Sequence, residues 1–161
     1  MAKRRRNRPE SDWIHREVID ARSIYADGMT NCDFCGTRIR HIHILEHDDQ
    51  DQAVEAGCCC AERYCNEYDA KGAEREFKKR ADRRARFVNR DVWKESRNNP
   101  ANIWRWVKLP GKKKRERVSV YTKDGGYGVF VEDCRHWNCY VTQGEAMNAA
   151  FELIDALKEE A

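Results

Sequence analysis

No uninterrupted apolar stretch of this chain comes near the roughly 20 residues that a membrane-spanning helix needs, so a helical membrane protein is not expected. An apolar leader segment is missing as well. Met1-Ala2-Lys3-Arg4-Arg5-Arg6 runs straight into Asn7-Arg8-Pro9-Glu10. The eight cysteines are therefore expected to be thiols in a reducing, cytoplasmic compartment rather than a disulfide framework. Apolar material is scarce throughout. With 37% charged residues in 161 and a mean hydropathy of −0.96, small modules joined together are expected rather than one deep core. No catalytic signature is present either, and the reading is non-enzymatic.

The formal net charge is only +3, from 31 basic and 28 acidic residues, so charge balance alone does not announce a nucleic-acid partner. Its distribution does more. Lys3 to Arg8 form a basic arm, Lys71–Arg97 and Lys112–Arg117 are rich in arginine and lysine, and Asp48–Asp51 and Glu159-Glu160 are acidic. Such segregation raises a local positive potential without a high overall isoelectric point.

Against these absences stands one concentrated feature. Cys32-Asp33-Phe34-Cys35-Gly36 is a C-x2-C knuckle with a trailing glycine, and Gly57-Cys58-Cys59-Cys60-Ala61 follows at the start of a helical pattern. Two such cysteine groups supply the soft ligands of a tetrahedral, structural Zn2+ site. The expected set is Cys32, Cys35, Cys58 and Cys60, because residues two apart at a strand-to-helix junction converge while Cys59 points away. His43, His47 and Cys65 are the substitutes; Cys65 lies about 140° around a helix from Cys60 and is the poorer partner. Cys134, His136 and Cys139 offer soft donors for a second metal, but packed or exposed thiols are the expected reading there.

The pattern of elements divides the chain into a basic flexible arm at 1–10, an N-terminal helix at 11–28, a zinc module with a long basic helix at 29–97, a linker at 98–117 and a β-β-β-α unit at 118–161. Ser11-Asp12 caps the first helix, and Trp13, Val18, Ile19, Ala21 and Tyr25 recur near helical spacing. Thr37–Leu45 and Gln52–Gly57 read as a strand pair. From Cys60 to Ser96 there is no proline and only Gly72 as a weak point, so one long helix is expected, bent or broken near Gly72. Ala73, Phe77, Ala81, Ala85, Val88 and Val92 form its apolar stripe. Arg75, Lys79, Arg83, Arg86 and Arg90 line a neighbouring face. Val118–Thr122, Tyr127–Glu132 and Trp137–Val141 read as three strands, with Asp124-Gly125-Gly126 as a hairpin turn. Thr142-Gln143-Gly144-Glu145 has the form of a capping box before an alanine-lined helix.

The knuckle, His41-x-His43-x-Leu45-Glu46-His47 and Gly57-Cys58-x-Cys60-Ala61 together resemble a family of small phage and bacterial proteins with C-x2-C-G, V-H-x-x-E-H and G-C-x-C-A motifs. The likeness covers most of the chain after residue 30 and implies a zinc protein, but no activity. Glu55-Ala56 departs from it, replacing an apolar residue before Gly57. Knuckle, hairpin and helix also resemble a treble clef, an arrangement shared with metal-dependent nucleases. Those need a general-base histidine on the hairpin, which His41, His43 or His47 provides, and further ligands on the following helix, where Cys60–Ser96 holds no histidine. The closing β-β-β-α order is similar to AP2-type and integrase-arm DNA-binding domains, which implies a sheet face that enters a groove.

The fold class expected is thus α+β. The expected role is a zinc-stabilised accessory protein that binds nucleic acid, with DNA favoured, through Arg75, Lys79, Arg83, Arg86, Arg90, Trp104, Arg105, Trp106 and Lys113. The alternative is a phage-type adaptor or inhibitor acting on a host protein, with a homodimer through the narrow helical stripe as a further partner.

Overall fold

The structure, a computed structural model, describes residues 13–48, 52–131 and 134–159. The basic arm, the Ser11-Asp12 cap and most of the acidic run at 48–51 lie outside the described residues. The chain is α+β, with antiparallel sheets and, among the described residues, three α-helices. It forms two compact units, Met1–Lys79 and Arg80–Ala161, and the division falls inside the helix Ala70–Val88.

In the first unit, β1 (Ile14–Asp20), β4 (His41–Glu46) and β5 (Val54–Ala56) make an antiparallel sheet in the order β1-β4-β5. β2 (Thr30–Asn31) and β3 (Arg38–Ile39) form a separate two-stranded ribbon around the knuckle. The expected N-terminal helix is thus a strand, followed only by a short 3-10 turn at Ala21–Ser23. The reason is a register shift between His15 and Glu17. Before it His15 pairs with Leu45, and after it Val18 pairs with His43 and Asp20 with His41. A bulge that inserts one residue turns a period of two into a spacing of three, which reads as helical on paper.

The long helix is in fact two. α1 spans Cys58–Tyr64 and α2 spans Ala70–Val88, with Glu67 at φ 57 in the connection. The break lies ahead of Gly72 and has its own signal. Asp69 caps α2, accepting from Gly72 N–H at 2.9 Å, and a Cβ on Gly72 would lie 2.1 Å from the Asp69 carboxylate. Gly72 is thus the third residue of a capped helix rather than a weak point inside one. α2 stops at Val88, and Asn89 then caps a 3-10 turn, Arg90–Val92, by accepting from Asp91 N–H.

In the second unit the expected three strands are part of five. β6 (Lys94–Glu95), β7 (Ile103–Lys108), β8 (Arg115–Lys123), β9 (Gly126–Val131) and β10 (Cys134–Tyr140) lie in the order β10-β9-β8-β7-β6. The segment read as a linker therefore contributes a full strand. The β8–β9 turn is as expected, with Asp124 at φ 46 and Gly125 at φ 82, the double left-handed geometry that matches strand twist. α3 (Gln143–Glu159) starts under the expected capping box: Thr142 Oγ1 accepts from Glu145 N–H, and Glu145 accepts from Thr142 N–H. Its Ala146, Met147, Ala150, Phe151 and Ile154 are buried with Ile103, Val118, Val120, Val129 and Val131, so one face of the sheet is covered.

Asp155 of α3 is 4% exposed and is held by Arg80 at 2.8 Å and Arg83 at 3.4 Å. Burial alone would raise this carboxyl, but the Arg80 hydrogen bond and the Arg83 and Lys158 charges hold it below its usual range. A depressed carboxyl contributes stability that is complete above its unfolded value and is lost as pH falls through the folded one. Asp155→Ala leaves Arg80 and Arg83 without this partner and is expected to cost about 1.5–3 kcal/mol in urea unfolding at neutral pH, with the difference from wild type shrinking in acid. An unchanged midpoint contradicts the assignment.

Candidate metal centre and open sheet face

The knuckle is built by backbone geometry. Gly36 N–H donates to Cys32 O at 2.7 Å and Cys32 N–H to Thr37 O at 2.9 Å, a turn closed by Gly36 at φ +69, where a side chain would be strained. Asp33 ties this turn to β5 in both directions: its N–H donates to Glu55 O at 2.9 Å and its carboxylate accepts from Glu55 N–H at 2.6 Å. The Glu55 carboxylate accepts from Tyr25 Oη at 2.7 Å and Thr30 Oγ1 at 3.0 Å. Glu55 is thus a polar hub for the ribbon. Gly57 precedes α1, and a Cβ there would come within 2.9 Å of the Ile39 side chain, so a larger residue would have to displace Ile39 for the helix to start this close to the ribbon.

These constraints bring Cys32, Cys35 and Cys60 together, with their sulfurs all within 4.8 Å of one another, a group able to hold a metal ion. Cys58 is not in it. α1 begins at Cys58, so Cys58 and Cys60 are both helical and stand about 200° apart, which rules out the expected convergence. Cys58 Sγ instead lies 4.0 Å from Cys59 Sγ. Cys65, at the end of α1, is 3% exposed and outside the group, and burial pushes its thiol up. His47 packs against Trp13, with ring centroids 5.1 Å apart.

The three sulfurs do not hold protons equally. Hydrogen bonds from Thr37, then contacts with Cys60 and Cys32, draw the exposed Cys35 thiol down to about 7. Burial and the neighbouring sulfurs push Cys60 up to about 12. A cation bound here displaces the proton from Cys60, so uptake releases protons and weakens as pH falls.

His43 is fully buried. Its Nδ1 lies 2.9 Å from Tyr68 Oη and its Nε2 3.3 Å from a Glu74 oxygen, while His41 Nδ1 is 3.5 Å from the other oxygen of Glu74. Burial lowers the pKa of both histidines. Both ring nitrogens of His43 are engaged, so this residue pins α2 to β4 and is not presented to a substrate. Tyr68 and Glu74 escaped the sequence reading because nothing in their spacing distinguishes them from other helix and loop residues.

The basic residues expected to meet nucleic acid divide sharply. Lys79 pairs with Glu76 at 2.7 Å, Arg83 with Asp155, and Arg75 lies 3.9 Å from Asp69. Arg86 donates to Asp82 O, and Arg90, beyond the end of α2, pairs with Glu95 at 2.8 Å. Arg105 faces the covered side of the sheet. It lies over the Phe87 ring at 4.6 Å and donates to Phe87 O, and partial burial lowers its guanidinium, so this half-buried side chain is engaged with the covered face. Strand alternation turns Trp104 and Trp106 the other way. Lys113 is exposed in the β7–β8 connection, where its carbonyl accepts from Lys108 Nζ at 2.8 Å. The second-metal set depends on Cys134, whose side chain lies outside those described.

The uncovered sheet face is of one character. By register it carries Lys94 and Trp104, then Trp106 opposite Arg117, Lys108 opposite Arg115, Ser119 opposite Phe130, Tyr121 opposite Gly128, and Lys123. No acidic residue occupies this face in β6–β9. Trp106 is 50% exposed. Lys94 and Arg117 lie over the Trp104 ring at 5.3 and 5.0 Å. Comparison with protein-family models, curated proteins and solved structures yields no match to this chain. No helix among the described residues is long and apolar enough to cross a membrane.

Titration with Co2+ reads the centre directly, through the charge-transfer absorption of thiolate–cobalt bonds. Cys60→Ser is expected to abolish that band, whereas Cys58→Ser and Cys59→Ser keep it. Affinity should fall with pH throughout the neutral range, because Cys60 must give up its proton, and more steeply below about 7, where Cys35 takes up a second one. Loss of the band in Cys58→Ser with retention in Cys60→Ser contradicts the grouping.

Proposed function

We propose that this chain is a zinc-stabilised nucleic-acid-binding protein, non-enzymatic, in which one Zn2+ on Cys32, Cys35 and Cys60 has a structural role in a treble-clef-like module. A three-thiolate set with tetrahedral preference and no competing hard oxygen ligand suits zinc over magnesium or calcium. A fourth donor completes the tetrahedron. The ion fastens the knuckle to the start of α1, and the binding surface is supplied by the second unit.

The observation that carries the binding reading is the open face of the five-stranded sheet. Lysine, arginine and aromatic side chains line it from β6 to β9, and carboxylates are absent from it in those strands. A polyanion neutralised by such a surface releases counterions, and exposed rings take stacked bases. This surface replaces the helical face as the favoured contact, because most of the basic residues from Arg75 to Arg90 already have carboxylate partners. DNA remains the favoured ligand class, and the family likeness to phage and bacterial zinc proteins belongs to the same proposal.

Fluorescence anisotropy with a labelled DNA oligonucleotide over a series of salt concentrations tests it. The affinity should fall steeply with salt, and Arg117→Glu should weaken binding and flatten the salt slope. Arg86→Glu is expected to change it little. Affinity independent of salt contradicts phosphate binding and favours the adaptor reading, in which this face docks on a host protein.

A further inference from the structure

The ring arrangement on the open face discriminates between forms of nucleic acid. Trp106 sits opposite Arg117, Trp104 and Phe130 both sit opposite Ser119, and Tyr121 follows two residues later on β8. Same-face side chains along a strand are about 6.7 Å apart. The strand positions that carry rings therefore advance in steps of about that length, from Trp106 to the Trp104–Phe130 row to Tyr121, and the Trp104 and Trp106 rings themselves lie edge to face with centroids 5.9 Å apart. Bases in a duplex rise by about 3.4 Å and present their edges, not their faces, to a protein.

The face also holds a receptacle. Arg117, Ser119, Tyr121 and Phe130 line a shallow depression of about 240 Å³. It is smaller than the about 300–1,000 Å³ of a site for a drug-sized ligand and matches a single planar heterocycle. Gly128 shapes it. The Tyr121 ring lies across this glycine so closely that a Cβ there would be 2.6 Å from Tyr121 Cζ. The ring is thus held down on the sheet. Arg117 and Ser119 supply hydrogen-bond donors at the wall, while Lys108, Arg115 and Lys123 stand at the two ends of the strands.

We infer that the face selects single-stranded nucleic acid, seating one unpaired base between Tyr121 and Phe130 and stacking another on Trp106. This rests on the nucleic-acid reading above and narrows it. Splayed bases meet rings at twice the duplex rise, and the backbone runs past the basic ends. An intact duplex meets the same cations but cannot place base faces on the rings. The groove-entering mode implied by the AP2-type likeness is thereby replaced by a face-on mode.

The test compares a fluorescein-labelled oligothymidylate with a duplex of the same length, at fixed salt, on the full chain. The single strand is expected to bind at least tenfold more tightly. Phe130→Ala and Tyr121→Ala should each weaken it about fivefold to a hundredfold, Tyr121→Phe should not, and duplex binding should be nearly insensitive to all three. Circular dichroism of each variant separates lost stacking from lost fold, and the wild-type comparison needs no variant. Equal or tighter duplex binding overturns the single-strand inference and leaves the nucleic-acid reading standing. No salt-sensitive binding of either probe overturns both.

Discussion

Three sulfur atoms drawn from a glycine-closed loop and the first turn of a short helix are, in the proposed reading, the constraint on which the first unit depends. Around them the fully buried cluster is Cys32, Leu45, Ala56, Ala61, Cys65 and Ala70, with Trp13, Phe34, Ile39, Val54 and Tyr68 partly buried against it. Burying one leucine contributes about 1.5–3 kcal/mol, and alanines contribute far less. A structural zinc in a small module contributes about 10–16 kcal/mol. On those magnitudes an ion at the thiol group contributes on the same scale as the apolar contacts around it. The second unit has no such need: Phe87, Trp93, Ile103, Leu109, Phe151 and Ile154 fill a conventional core between α3 and the sheet.

This division of labour explains where function is proposed to sit. The first unit is held by polar devices, the Asp33–Glu55 exchange, the Tyr68–His43–Glu74 chain and the thiol group, each of which fixes one short element against another. The second unit spends one sheet face on its core and leaves the other open. Alternation does the sorting: the same strand geometry that exposes Trp106 turns the half-buried Arg105 onto Phe87.

Local chemistry that is closed within a few residues was legible in the sequence. The Cys32–Gly36 knuckle, the Asp124-Gly125 turn and the Thr142–Glu145 capping box all occur as their residue types dictate, and Cys60 joins the knuckle. What escaped was phase. A bulge between His15 and Glu17 disguised a strand as a helix, and the start of α1 one residue after Gly57 put Cys58 on the wrong side. Asp69 was a readable cap that a preference for one long helix overlooked. β7 was mistaken for a linker because Trp104-Arg105-Trp106 alternates by side rather than by polarity, with its one charged residue turned inward. The basic helix face was visible as a periodicity, but its carboxylate partners on α3 and β6 were not, since they belong to other elements.

The central claim is that a bound ion at Cys32, Cys35 and Cys60 holds the first unit while the second stands by itself. Hydrogen exchange followed residue by residue, with and without a strong chelator, addresses it most directly. The account predicts that amides of the knuckle, β5 and α1 lose protection on chelation while those of β8, β9 and α3 keep theirs. Protection that is unchanged around the sulfurs, or lost equally across both units, would contradict it.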